Sequence, residues 1–113
     1  MSVTTAGRLR GRRTFVAIAQ QGRTVRSGPL RVRYLVAALD QPAVGFAIGK
    51  KTGGSVVRNR IRRRLRAAVF AVDAPVTSAF YLISADAAAA TVPFEDLTNA
   101  VRAAFAHVSD AAA

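Results

Sequence analysis

Six arginines crowd into eleven residues, VVRNRIRRRLR at 56–66, with one asparagine among them and no acid. A guanidinium stays protonated at physiological pH, so this stretch is unsuited to acid–base chemistry. Its planar fork of N–H donors instead matches the oxygens of a phosphate. Arg58, Arg60, Arg62, Arg63 and Arg66 therefore read as anion contacts. Asn59 adds a neutral amide that a purely electrostatic face does not need. An amide can read a base edge or a sugar hydroxyl, or hold a hydrated metal at a phosphate. Lys50 and Lys51 place two more cations just upstream. On a helical wheel, Val57, Ile61, Leu65, Ala68 and Val72 share a stripe about 80° wide, while the arginines and Asn59 sweep an arc of roughly 200°. Arg64 falls at the stripe's edge, where its stem can lie along apolar surface. Half of this helix is core and half is polyanion contact.

Other chemistry is poorly supplied. The chain has no cysteine and a single histidine, His107, which lies off the apolar stripe of its helix. Its six acids are scattered and form no evident dyad for proton transfer. A metal site built from protein side chains is not expected from this inventory. The stretch GFAIGKKT, 45–52, resembles a phosphate-binding loop, but three residues separate its glycines instead of four, and Lys51 stands where serine or threonine is required. Nucleotide hydrolysis is rejected, and no catalytic residue is assigned to the chain.

The distribution of charge supports the anion reading. Net charge is +11 over 113 residues. Sixteen of the 17 basic residues lie between Arg8 and Arg66, and Asp40 is the one acid before Asp73. A surface that only needs solubility mixes its signs. Segregation of this kind implies a polyanion against the first two-thirds of the chain, with RNA or DNA backbone favoured over membrane or acidic protein. No apolar run approaches the ~20 residues of a membrane helix, and no signal-type apolar segment follows the basic start, so the expected location is the cytoplasm.

The elements that must carry these residues follow from pattern. Residues 1–10 read as a mobile basic arm and 109–113 as a frayed end of one domain spanning 1–113. A short helix is expected over 12–21, closed by Gly22 as a left-handed cap. RTVRS leads into a Gly28–Pro29 turn. Residues 30–39 alternate as a strand with Leu30, Val32 and Tyr34 on one face and Arg31 and Arg33 on the other. A turn at Asp40–Pro42 leads to a second strand, 43–49, and these two are expected to form a hairpin. Ser55 is the expected N-cap of the basic helix, 56–71, which Asp73 and Pro75 end. A strand over 77–85 and a helix over 93–108 complete the order αβββαβα. The final helix carries Phe94, Leu97, Val101, Ala104 and Val108 on its apolar face. The class is a small α+β sandwich, with helices packed on one mixed sheet and a crossover between parallel strands.

GFAIGKKTGGSVVRNRIRRRLRAA resembles the signature region of the bacterial ribonuclease P protein family, which pairs a lysine-ended strand and glycine turn with an Arg-Asn-Arg helix. RLRGRRTFVAIAQQG looks like the same family's basic arm and aromatic-bearing first helix. The resemblance implies a protein subunit of ribonuclease P with two RNA partners, the catalytic RNA and precursor tRNA, and with neither membrane nor DNA. It implies magnesium-dependent endonucleolytic removal of the tRNA 5′ leader, with Mg2+ held mainly by the RNA and no organic cofactor. It also implies a left-handed crossover, against the usual hand. Carried over by residue, Lys50, Lys51, Arg58, Asn59, Arg60, Arg62, Arg63 and Arg66 would contact the catalytic RNA. Arg12, Arg13, Phe15, Tyr34 and Ala47 would line a cleft for the single-stranded leader, with the two lysines beside it. Two departures stand out: Ala19 occupies a position where many relatives carry a second aromatic, and Tyr34 is offset from the strand aromatic of some. The rival readings are a ribosomal or other basic nucleic-acid-binding protein without catalytic context, and an amphipathic membrane-surface helix. The membrane rival is weak because the apolar stripe of 56–72 lacks any aromatic residue.

Overall fold

A computed structural model describes residues 7–8, 11–39, 41–72 and 78–112. The expectations for the rest of the arm, for Asp40, for the helix stop at Asp73 and Pro75, for the start of the strand at Thr77 and for Ala113 lie outside these residues. The elements run β1 (Gly7–Arg8), α1 (Arg12–Gln21), β2 (Arg23–Ser27), β3 (Leu30–Val36), β4 (Ala43–Phe46), a 3-10 turn at Lys50–Thr52, α2 (Ser55–Ala71), β5 (Ala79–Ala85), a second 3-10 turn at Ala87–Ala90 and α3 (Phe94–Ala112). This is the expected α+β order with one short strand added ahead of α1. That strand lies inside the expected mobile arm, where Gly7–Arg8 pairs in parallel with Ala43–Val44.

The strands form a single mixed sheet in the order β1-β4-β5-β3-β2. β5 lies between β3 and β4, antiparallel to the first and parallel to the second. The expected hairpin of β3 with β4 is therefore wrong. The hairpin is β2 with β3, closed by a two-residue loop in which Gly28 takes φ 56°. The parallel pairing of β4 with β5 makes α2 a crossover helix, as expected.

Cross-strand register divides the sheet into two faces. One carries the rows Val25–Val32–Ile83–Phe46 and Arg23–Tyr34–Tyr81–Val44. Against it pack α2, through Ile61, Leu65, Ala68 and Val69, and α3, through Leu97, Ala100, Val101, Ala104, Phe105 and Val108. Phe105 meets the ring of Tyr81 edge-on at 5.2 Å between centroids. The periodicity of α3 holds, with two corrections: Phe94 is 41 % exposed, and the helix continues through the segment expected to fray.

The opposite face carries Thr24–Arg33–Leu82–Gly45 and Leu35–Phe80–Ala43. Here α1 docks. Its one buried residue, Ile18, is fully enclosed yet separate from the core beneath α2 and α3. Arg33 fastens the end of α1. Its Nε donates to the Ile18 carbonyl, Nη2 to the Ala19 carbonyl and Nη1 to Thr24 Oγ1, each at 2.8 Å. Gly22 does not adopt the expected left-handed cap; its φ is −73°. The glycine is required by proximity instead. A Cβ there would lie 2.5 Å from the Ile18 carbonyl oxygen and 2.9 Å from that of Tyr34, so a side chain would push α1 off β3.

Burial and the neighbouring Tyr34 push the Tyr81 hydroxyl up to about 12 from its ordinary 10.0. The folded pKa is the higher one, so the stabilisation is complete below pH ~10 and is lost as pH climbs toward ~12. Thermal unfolding followed between pH 9 and 12 should show Tm falling across that window, and Tyr81→Phe should flatten this part of the profile.

Candidate nucleic-acid interface

The basic helix begins where the 3-10 turn Lys50–Thr52 runs into Gly53 and Gly54. Gly54, not Ser55, is the N-cap, and no side chain caps the end. Ser55 is already helical, so its hydroxyl lacks the cap geometry. The first turn of α2 holds no acid, although a helix N-terminus attracts negative charge. Cations instead surround this positive end: Lys50 and Lys51 before it, Arg58 and Arg60 one turn in. Like charges gathered here are unfavourable in isolation and become favourable once phosphates neutralise them and release counterions.

The arginines of α2 have different fates. Arg60, Arg63 and Arg66 are exposed, as is Asn59. Arg62 is half-buried; one Nη donates to Asn59 Oδ1 at 3.2 Å and the other to the Ile48 carbonyl at 3.3 Å, which orients the Asn59 amide from below. Arg58 is half-buried, and its Nε is enclosed without a hydrogen-bond partner. Arg64 turns away from the basic face altogether. Its guanidinium donates to the Ala89 carbonyl at 2.6 Å and to the Val92 carbonyl, holding the second 3-10 turn and the start of α3. Sequence placed Arg64 at the stripe's edge; its polar head finds backbone acceptors there. Two apolar residues join the outer face unannounced by the stripe analysis, Val56 at 75 % exposure and Phe70 at 71 %.

The residues expected to line the leader cleft are divided between the two faces of the sheet. Arg12 and Arg13 are exposed on α1, and Phe15 is 40 % exposed, which rules out simple core packing for its ring. Ala47 is exposed just past β4, anchored by its N–H to the Ile83 carbonyl at 2.8 Å. Tyr34 does not join them. It is 5 % exposed and shares the core face with Leu30 and Val32, whereas α1 covers the other side of β3. The alternation of β3 dictates this, since residues one apart point to opposite faces. Its edge reaches a separate hollow of ≈ 390 Å3 with Gln21, Arg23 and Val36. Ala47, Lys50 and Lys51, grouped at the expected cleft, do meet in a groove of ≈ 470 Å3; what sequence reasoning missed is that Arg26 and Arg31 from the hairpin line it too. Among the described residues no three histidine, cysteine or acidic side chains gather to hold a metal, and no helix is long and apolar enough to cross a membrane.

Fold and surface together define a small α+β protein with a continuous sheet and one extended cationic flank. The model of the family described as Ribonuclease P matches residues 3–109. The ribonuclease P protein component of Symbiobacterium thermophilum is 39 % identical over 102 residues, covering 88 % of this chain and 89 % of that one. That of Gluconacetobacter diazotrophicus is 46 % identical over 69 residues, 60 % of each chain. In three dimensions the RNase P protein of Thermotoga maritima shares the fold, with a TM-score of 0.73 at 18 % identity over 87 % of this chain and 94 % of that chain. The Staphylococcus aureus RNase P protein matches with a TM-score of 0.72 at 21 % identity over 88 % and 92 %. The chain belongs to the ribonuclease P protein family.

The two kinds of arginine should separate in stability. Arg64→Ala strands two carbonyls and should lower unfolding free energy by about 1–2 kcal/mol. Arg60→Ala should stay within about 0.5 kcal/mol of the parent, since it relieves repulsion and breaks no contact. Urea midpoints of the two variants check the difference.

Proposed function

We propose that this chain is the protein subunit of a ribonuclease P ribonucleoprotein, and that it binds a catalytic RNA and the 5′ leader of precursor tRNA. One observation carries the reading: in a member of this family, the outer face of α2 presents Asn59, Arg60, Arg63 and Arg66 to solvent without an acid anywhere on the helix. Arg58 and Arg62 extend that face toward Lys50 and Lys51, and the whole surface suits the phosphates of a folded RNA. Cleavage of the phosphodiester belongs to the RNA and its magnesium, with water as nucleophile. This chain's side chains supply positive charge and position the strands. Arg62 holds the amide of Asn59 outward, where it can meet a sugar hydroxyl, a base edge or a metal-bound water.

The leader is assigned to the face of the sheet on which α1 docks. Phe15 offers a half-open aromatic ring there for an unpaired base, and Arg12 and Arg13 stand on the same helix for its phosphates. This is RNA handling without chemistry by the protein. Its contribution is to lower the magnesium needed for cleavage and to favour precursor over mature tRNA.

Reconstitution with the organism's own candidate RNA and a 5′-labelled precursor tests the first half. The protein should raise cleavage most strongly at low magnesium, and no gain at any magnesium level would remove the reading. Phe15→Ala tests the second half. It should weaken precursor tRNA binding by about 1–3 kcal/mol while leaving mature tRNA nearly unchanged; equal losses for both would mean that the ring only supports the fold.

A further inference from the structure

Viewed down its axis, α2 turns Ile61, Leu65 and Ala68 into the core, and the line opposite them runs Val56, Arg60, Arg63, Ala67, Phe70. Every residue on this line is exposed, and Asn59 and Arg66 flank it. Phe70 is 71 % exposed, the most open aromatic ring among the described residues. A lone apolar side chain at a surface needs no explanation. This one stands in register with arginines already assigned to RNA: Arg66 lies one turn before it and Arg63 two turns, about 6 and about 10 Å along the axis. Ala67 and Ala71 beside it are small and exposed. Among the described residues the ring pairs with no other aromatic. The electrostatics change at this point as well. The last turn of α2 carries no basic residue, and the carbonyl end of a helix repels anions. A phosphate is welcome as far as Arg66 and unwelcome beyond it, whereas a flat neutral group meets no such repulsion.

We infer that Phe70 is a stacking platform for one unpaired nucleobase of the catalytic RNA, and that it ends the phosphate-binding face of α2 with a base contact. The inference rests on the RNA reading above and adds to it a residue outside the basic motif. The base is unpaired because a ring projecting from a helix reaches the face of a paired base only by opening its stack. Charge selects this partner over two others. A second copy of the chain seated on the ring would bring two sets of Arg63 and Arg66 together. A bilayer would find one other large apolar side chain on this face, Val56, about 21 Å away. Nucleic acid satisfies both the cations and the ring, with phosphates for Arg63 and Arg66 and a π-face for Phe70. Every base has such a face, so the platform recognises that a nucleotide is unpaired and not which nucleotide it is.

The experiment measures binding of the full chain to the organism's own candidate RNA across salt concentrations, for the parent, Phe70→Ala, Phe70→Leu and Phe70→Trp. Phe70→Ala should bind about tenfold more weakly with an unchanged salt slope, because a base contact is lost and no phosphate contact is. Phe70→Leu keeps apolar bulk without a π-face and should stay weak, whereas Phe70→Trp should match or exceed the parent. The Tm of all three should stay near that of the parent, since the side chain is on the surface. Chemical probing of the RNA should find one unpaired nucleotide shielded by the parent and by Phe70→Trp and open with Phe70→Ala. Parent-like binding by Phe70→Ala overturns the inference, as does full binding by Phe70→Leu, which would reduce the contact to apolar area. A dimer of the free chain, or binding to vesicles of anionic lipid, that Phe70→Ala abolishes would give the ring to another partner and overturn it too. Arg60→Ala run in parallel separates the two claims, since it should weaken RNA binding with a salt slope lower by about one. If it does so while Phe70→Ala does nothing, the platform alone falls. If the parent binds the candidate RNA no better than an unrelated RNA of equal length, the proposed function falls with it.

Discussion

The position of β5 governs this molecule. It enters the sheet between β3 and β4, and every other placement follows. Parallel to β4, it obliges the chain to cross over by way of α2, so the basic helix must lie flat against the sheet with one stripe in the core. Antiparallel to β3, it extends that strand's alternation through two partners, so one face gathers Tyr34, Tyr81 and Val44 while the other gathers Arg33, Leu82 and Gly45. The first face is sealed by α2 and α3. Among the described residues the second receives only the short helix α1. Fully enclosing Tyr81 and Ile83 makes β5 the most buried strand, which fits its central place.

Around that frame the arginines divide by what their donors find. Arg33 and Arg64 end on backbone carbonyls and act as clamps, one at the end of α1 and one at the 3-10 turn before α3. Arg62 donates to Asn59 and to the Ile48 carbonyl and Arg102 to Asn99, whereas Arg60, Arg63 and Arg66 stand exposed on the outer face of α2. Net charge therefore overstates the contact surface by the two clamps, and understates its concentration, since the free cations cluster on α2, on the hairpin and on the turn between β4 and α2. A surface of this kind strains the free protein slightly, a strain that phosphate would relieve.

Much of this was legible in the chain. The 3.6-residue rhythm of 56–72 named the buried side of α2 correctly, because burial there depends on local periodicity alone. Strand partners were less legible. Residues 30–36 and 43–46 are close in sequence and read as a hairpin, but β5, over thirty residues later, competes for both edges and wins through Tyr81 and Ile83. Gly22 was identified as a helix stop for the wrong reason: its role is a close approach between two backbones, which no local pattern reveals. Tyr34 was placed in the cleft by resemblance, although the alternation of Leu30, Val32 and Tyr34 already put it on the core side. The part of Arg26 and Arg31 in the groove with Ala47, Lys50 and Lys51 was invisible because the hairpin reaches it only through strand order.

The clamp at Arg33 has a wider consequence. One rigid guanidinium ties the last carbonyls of α1 to the strand below, and Gly22 lets the two backbones touch. The angle of α1 over the sheet is thereby set when the chain folds, not when a ligand arrives. Were a flexible strand to dock beside Phe15, as proposed, it would meet a mould already cast, and the ordering entropy would fall on the nucleic acid and not on the protein. Such a surface gains little from adapting to each new sequence, and under the proposed function that would let one fixed opening serve leaders of differing sequence.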